Sequence, residues 1–180
     1  MSRKAMFLDR DGVINVDTGY VYRISDFIFI DGIFQLTRAA ISKGYLLFVI
    51  TNQAGIGRGY YSEADFQMVT IWMLDVFESE GVHVEKVYFS PYHPVFGIGK
   101  YKKDHFSRKP HPGMLLEAKS QFDLDLSESM LIGDKISDIE AGNAAGIGVN
   151  LLFKADPCVD SLDCNNCHYI SSLTQAQIYL

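Results

Sequence analysis

Tyr45-Leu46-Leu47-Phe48-Val49-Ile50-Thr51 is an almost unbroken apolar run in a chain of 180 residues, and it is rich in β-formers. A run of that length without polar alternation predicts a strand covered on both faces, as in a parallel sheet. Just before it, Asp31 to Gly44 spaces Ile33, Leu36, Ala40 and Ile41 at helical intervals, and Gly44 stands where a helix would stop. Earlier still, Ala5 to Asp9 is a short apolar run ending on a carboxylate, a second buried strand. Downstream, Ser62 to Gly81 is the longest helical pattern. Ser62 and Asp65 resemble a capping box, and Met68, Trp72 and Phe77 are expected in its buried face. Strands follow at Lys86–Ser90, Ser129–Asp134 and Val149–Phe153, with helices at Pro112–Gln121 and Ile136–Ala145 and an edge strand at His168–Ser172. Strands alternating with helices predict right-handed crossovers. The expected fold is α/β: a single Rossmann-like domain over residues 1–180, mostly parallel, with helices on both faces.

Composition narrows the function. With 48% hydrophobic residues the chain is not disordered, and a net charge of −6 speaks against a nucleic-acid partner while leaving room for a small anion pocket. No apolar stretch reaches the roughly 18–20 residues of a membrane span, and no secretory signal is visible. No membrane partner, a cytoplasmic location and a monomer are therefore expected. The cysteines, Cys158, Cys164 and Cys167, are odd in number, which argues against a disulfide framework and for surface thiols. Cys164-Asn165-Asn166-Cys167-His168 matches a haem-attachment spacing, but nothing else in the chain supports haem; three cysteines with His168 also have the ligand count of a zinc site.

Open α/β sheets bind ligands beyond the carboxyl ends of their strands. Those ends here carry Asp9-Arg10-Asp11-Gly12, Thr51-Asn52-Gln53 and Gly133-Asp134-Lys135, while Lys109 precedes the helix that starts near Pro112. Phosphoryl transfer to an aspartate needs such a set. A phosphate ester repels a carboxylate nucleophile unless its charge is offset, and Mg²⁺ takes carboxylate and carbonyl oxygens, available from Asp9, Asp134 and the Asp11 backbone. Lys109 and the Thr51 hydroxyl suit the equatorial phosphoryl oxygens, and Asp11 suits proton transfer to the leaving group. Asp138, one helical turn past Asp134, suits either a supporting contact in the site or a helix start.

Asp9-Arg10-Asp11-Gly12-Val13-Ile14-Asn15 resembles the first motif of the haloacid dehalogenase-like (HAD) phosphatases. Within them the chain is similar to the capless D-glycero-D-manno-heptose 1,7-bisphosphate 7-phosphatases and their histidinol-phosphatase relatives. Further matching stretches are Asp17–Val21, Thr51–Gly59, Arg108–Met114 and Gly133–Asp138, so the likeness covers about residues 5–153. The resemblance implies Asp9 as nucleophile, Asp11 as acid/base, Thr51 and Lys109 as phosphoryl stabilisers, and Asp9, Asp11 and Asp134 as Mg²⁺ ligands. It implies substrate contacts from Asp17, Thr18, Gly19, Tyr20, Asn52, Gln53, Ala54, Arg108 and Lys135. The implied substrate is a phosphorylated sugar, heptose 1,7-bisphosphate, cleaved at the 7-phosphate on the way to nucleotide-activated heptose for lipopolysaccharide. Histidinol-phosphate hydrolysis is the alternative within the family, and a non-catalytic sugar-phosphate sensor the alternative outside it.

One motif departs from the family. Where a structural zinc loop of the form C-x-H…C-x-C usually precedes the Arg108–Met114 stretch, this chain has Ser90, Tyr92, His105 and Ser107. That set is a poor zinc site, so no structural zinc is expected. The Pro91–Ser107 loop is instead expected to be held by packing of Tyr92, Phe96, Tyr101 and Phe106. Gly55-Ile56-Gly57-Arg58-Gly59 has the glycine content of a phosphate cradle but lacks the ending of a nucleotide P-loop, so a flexible turn shaping the pocket is the favoured reading of the two.

Overall fold

In the computed structural model, which describes residues 3–154 and 166–180, β1 (Ala5–Leu8) buries every side chain, because helices cover both faces of the sheet it belongs to. Successive strand residues point to opposite faces. Met6 and Leu8 therefore join Leu47, Val49 and Ile132 in one apolar layer, while Ala5 and Phe7 join Phe48, Ile50 and Leu131 in the other. The first layer is closed by Ile33, Leu36 and Ala40 of α1 (Ile33–Ser42) and by Val69, Met73 and Phe77 of α3 (Glu63–Ser79). The second is closed by Met114, Leu115 and Ala118 of α4 (Gly113–Phe122) and Ala141 of α5 (Ile136–Ala145). Each fully buried Leu, Ile or Phe in such layers stabilises the fold by about 1.5–3 kcal/mol.

The remaining strands are β2 (Leu46–Asn52), β3 (Lys86–Ser90), β4 (Met130–Gly133), β5 (Val149–Phe153) and β6 (His168–Ile170). Their order is β3-β2-β1-β4-β5-β6, with every pairing parallel. The α/β class and the parallel sheet are as the sequence implies. From β1 the chain builds outward through β2 and β3, then crosses back to build the other half from β4. β1 thus lies at the switch point, with Leu8 level with Val49 on one side and Ile132 on the other. The residues that follow these strands meet at one sheet end.

Several expectations change. Met68 is 61% exposed and Trp72 only half-buried, because the inward stripe of α3 runs through Phe66, Val69, Thr70, Met73 and Phe77. The Gly-rich turn contains a one-turn helix, α2 (Ala54–Gly57). Gly55 and Gly57 serve close approach there, since a Cβ would stand 2.2 Å from Tyr61 Cε1 and 2.3 Å from the Pro91 carbonyl oxygen, respectively. In the Pro91–Ser107 loop, Phe96 and Phe106 face solvent rather than packing. The four positions of the altered motif do come together. Tyr92 stacks on His105 at 4.0 Å, His105 Nδ1 accepts from Ser107 N and lies 2.7 Å from its Oγ, and Ser107 Oγ is 3.2 Å from Ser90 Oγ. Cys167 is disulfide-bonded rather than a free thiol; Cys158 and Cys164 lie outside the described residues.

Candidate active site

At the carboxyl end of β1 the chain turns through Asp9, Arg10, Asp11 and Gly12. Gly12 adopts φ 94°, and a Cβ there would fall 2.4 Å from Asp134 Oδ2, so only glycine lets this turn pass the end of β4. Asp9, Asp134 and Asp138 each bring a carboxylate oxygen to within 4.8 Å of the others. Lys109 enters between them, 97% buried. Its Nζ lies 3.0 Å from Asp9 Oδ1 and 2.6 Å from Asp138 Oδ1, and donates to the Ile50 carbonyl at 2.9 Å.

Asp138 performs both roles left open for it. Its Oδ2 accepts from Lys135 N at the start of α5 while its Oδ1 pairs with Lys109. Gly133 makes room, since a Cβ there would stand 2.2 Å from Asp138 Cβ. With Asp138 committed, Asp9 and Asp134 are the carboxylates left for a cation. Asp134 Oδ1 is buried without a hydrogen-bond partner, which is the state of an oxygen awaiting a hard metal ion. The donor set fits Mg²⁺.

Charge crowding sets the titration of this cluster. Burial pushes the Asp9 carboxyl up to about 8, Lys109 opposes the rise, and Asp138, Asp134 and Asp11 add to it. Burial likewise raises Asp134, against the pull of Lys135. Burial works to lower the Lys109 ammonium, but Asp138 and Asp9 outweigh it and hold it above its ordinary value.

Asp11 faces another way from Asp9. Its carboxylate accepts from Arg10 Nε at 3.2 Å and Nη2 at 2.9 Å, from Asn15 Nδ2 at 3.1 Å and from Gln53 Nε2 at 2.9 Å. Arg10 is buried, with its guanidinium carbon 5.6 Å from the Phe66 ring centre and 6.0 Å from that of Phe27. The sequence reading passed over Arg10, although a charge between two aspartates at a buried strand end needs a partner inside the fold.

A cavity of about 480 Å³ opens above these groups. Of the expected site residues, Asp9, Asp11, Asp17, Gly19, Tyr20, Thr51, Asn52, Gln53, Ala54, Arg108, Lys109 and Lys135 line it; Thr18 and Asp134 are not among its walls, and Asp134 Oδ2 lies 3.6 Å from the Nζ of Lys135, which is. Lys135 Nζ also pairs with Asp17 Oδ2 at 3.1 Å, tying the Asp17–Tyr20 loop to the start of α5. Arg58, from the turn expected to shape the pocket, lines the cavity as well, and so do Tyr61, His93 and Ser137, which the sequence does not point to. The Arg58 guanidinium carbon sits 4.6 Å from the Phe96 ring centre, which explains an aromatic residue left at the surface. Burial and the neighbouring Arg58 both lower Arg108, and burial with the two arginines lowers His93. Among the described residues neither arginine is within ion-pair distance of a carboxylate, and the two guanidinium groups stand on the same cavity wall.

Comparison with known proteins gives a consistent result. Residues 106–154 match the HAD-hydrolase-like family. The D-glycero-α-D-manno-heptose-1,7-bisphosphate 7-phosphatase of Burkholderia mallei is 59% identical over 84% of this chain and 80% of that protein. The D-glycero-β-D-manno-heptose-1,7-bisphosphate 7-phosphatase of Vibrio cholerae is 47% identical over 86% of this chain and 83% of its own. The crystal structure of D,D-heptose 1,7-bisphosphate phosphatase from B. bronchiseptica, complexed with magnesium and phosphate, superposes with a TM-score of 0.81, covering 98% and 97% of the two chains at 24% identity.

Proposed function

Because this chain belongs to the D-glycero-D-manno-heptose 1,7-bisphosphate 7-phosphatase family of HAD-like hydrolases, we propose that it hydrolyses the 7-phosphate of heptose 1,7-bisphosphate through an aspartyl-phosphate on Asp9. The observation that carries the reading is the pairing of a nucleophile site with a second anion wall in one cavity: Asp9 and Lys109 below, Arg58 and Arg108 at the rim. Asp9 and Asp134, with the Asp11 carbonyl, would hold Mg²⁺. Bound there, the ion offsets the charge on the attacked phosphate.

Asp9 attacks phosphorus, and the electron pair of the breaking P–O bond goes to the leaving sugar oxygen, which takes its proton from Asp11. Water then attacks the aspartyl-phosphate, Asp11 accepts the water proton, and phosphate leaves with Asp9 restored. Lys109 and the Thr51 hydroxyl stabilise the phosphoryl oxygens. The sugar lies along Asp17, Gly19 and Tyr20, and its 1-phosphate meets Arg108 and Arg58. A cytoplasmic, monomeric enzyme completes the reading, which fractionation and light scattering test.

The deciding experiment supplies heptose 1,7-bisphosphate with Mg²⁺ and follows the two phosphates by ³¹P NMR. Loss of the 7-phosphate signal alone, at a higher kcat/KM than for histidinol phosphate, is expected. Binding without turnover would make the protein a sensor, and faster cleavage of histidinol phosphate would move it to the other branch. Arg108→Ala is expected to raise KM for the bisphosphate about 10–100-fold, the loss of one charged contact. It should leave kcat on a small monophosphate within about twofold, since that substrate leaves the rim empty. Equal losses on both substrates would remove the second phosphate from this wall.

A further inference from the structure

We propose that Tyr61 is a positioning residue that locks the Gln53 amide in one orientation, and thereby aims Asp11 and the Thr51 hydroxyl together. The proposal rests on the roles given above to those two groups. Gln53 is 1% exposed, and one nitrogen of its side chain serves both: Nε2 donates to Asp11 Oδ2 at 2.9 Å and to Thr51 Oγ1 at 2.8 Å. Its other end, Oε1, accepts from the Tyr61 hydroxyl at 2.5 Å.

An amide can rotate end for end with little change of shape, so its contacts must select the orientation. A carboxylate only accepts, which puts the NH₂ toward Asp11. The flipped state would set Oε1 against that carboxylate, and would face the Tyr61 hydroxyl with an NH₂ in place of a carbonyl. Burial raises the Tyr61 phenol above its ordinary value, so it keeps its proton and donates. The consequence reaches Thr51. Its oxygen accepts from the amide, which leaves its own hydroxyl proton to be donated to a group in the cavity that Thr51 lines. Tyr61 thus orders a run of donors, from phenol through amide to hydroxyl, that ends at a phosphoryl oxygen.

Tyr61 is itself held without its hydroxyl. Its ring stacks on Tyr22 with 5.0 Å between centres and 5° between planes, and Gly55 gives it room. Tyr61→Phe therefore keeps the ring in place and removes one hydrogen bond.

The test runs in the full-length, Mg²⁺-loaded enzyme. Tyr61→Phe is expected to lower kcat about tenfold with KM within about twofold, the loss of one buried hydrogen bond acting on charged partners. In a Gln53→Ala background the same substitution should change kcat less than about twofold, because the amide through which it acts is gone. Independently of activity, ¹⁵N NMR of the Gln53 side chain should show a single pair of amide-proton signals in the wild type, and a second pair or exchange broadening of both in Tyr61→Phe, because a flip about the Cγ–Cδ bond moves both protons to new surroundings. An equal kcat loss in both backgrounds, or an unchanged Gln53 amide spectrum, overturns the proposal. A wild type inert toward sugar phosphates would overturn the phosphatase reading instead, leaving the spectrum to decide on Tyr61.

Discussion

Asp9→Asn yields a folded protein that releases phosphate at least about 10⁴-fold more slowly than the wild type, the scale of loss seen when a covalent nucleophile is removed. The substitution is isosteric, and an amide oxygen does not displace an alkoxide from phosphorus. The local structure survives, since Arg10 N can still donate to the remaining oxygen, as it does to Asp9 Oδ1 at 2.7 Å. Lys109 keeps Asp138 and the Ile50 carbonyl. A continuous phosphate-release assay measures the effect, and turnover close to wild type would end the covalent role of Asp9.

The same variant has a signature in stability. In protein stripped of metal, Asp9 titrates near 8 rather than at the ordinary 3.8, and Asp134 is raised as well. Between those two pH values the folded protein keeps a proton that the unfolded chain has released, so stability falls as pH rises through that window. Mg²⁺ competes with the proton, so the gain in Tm on adding it should grow from pH 5 to pH 8. Calorimetry on wild type and Asp9→Asn in EDTA should show the pH slope flattened in the variant. A slope of equal steepness in both would place the titration on other groups.

Much of this site is legible in the sequence because strand ends in a parallel sheet carry whatever the sheet cannot bury. The run from Tyr45 to Thr51 announces a covered strand, and the polar residues that end β1, β2 and β4 then have one place to go. Long-range pairing is what the local pattern omits. Nothing near Lys109 in the chain says that its partners are Asp9 and Asp138, nor does anything near Gln53 point to Tyr61 as its donor. The Gly55–Gly59 run misleads because glycine signals freedom to a sequence reader, whereas here it is a requirement for close packing against Tyr61 and Pro91. Phe96 misleads in the opposite sense. Its apolar ring suggested a loop core, but a cation at the cavity rim is what it covers.

Lys109→Met should destabilise metal-free protein by about 3–5 kcal/mol at pH 7, the cost of leaving the buried Asp138 carboxylate without its countercharge. The ammonium has three protons and three acceptors within 3.0 Å: Asp9, Asp138 and the Ile50 carbonyl. No donor is left over while Asp9 is a free carboxylate. As Asp9 bonds to phosphorus its charge passes to the phosphoryl oxygens, and the proton that Lys109 lent to Asp9 becomes available where the charge has gone. The interaction strengthens along the reaction rather than in the ground state, which is the condition for lowering the barrier. Methionine keeps much of the stem and supplies none of these protons, so kcat should fall about 10³-fold as well. Asp9 holds its proton at pH 7 and releases it near 8 only with the help of Lys109, so the stability loss should grow toward pH 9, while Mg²⁺ at pH 7 should restore part of the Tm and none of the turnover. Denaturant unfolding at the two pH values, beside phosphate release, checks both halves. A variant within about 1 kcal/mol of wild type at pH 7 and within tenfold in kcat would mean that Lys109 neither holds the carboxylates nor follows the charge.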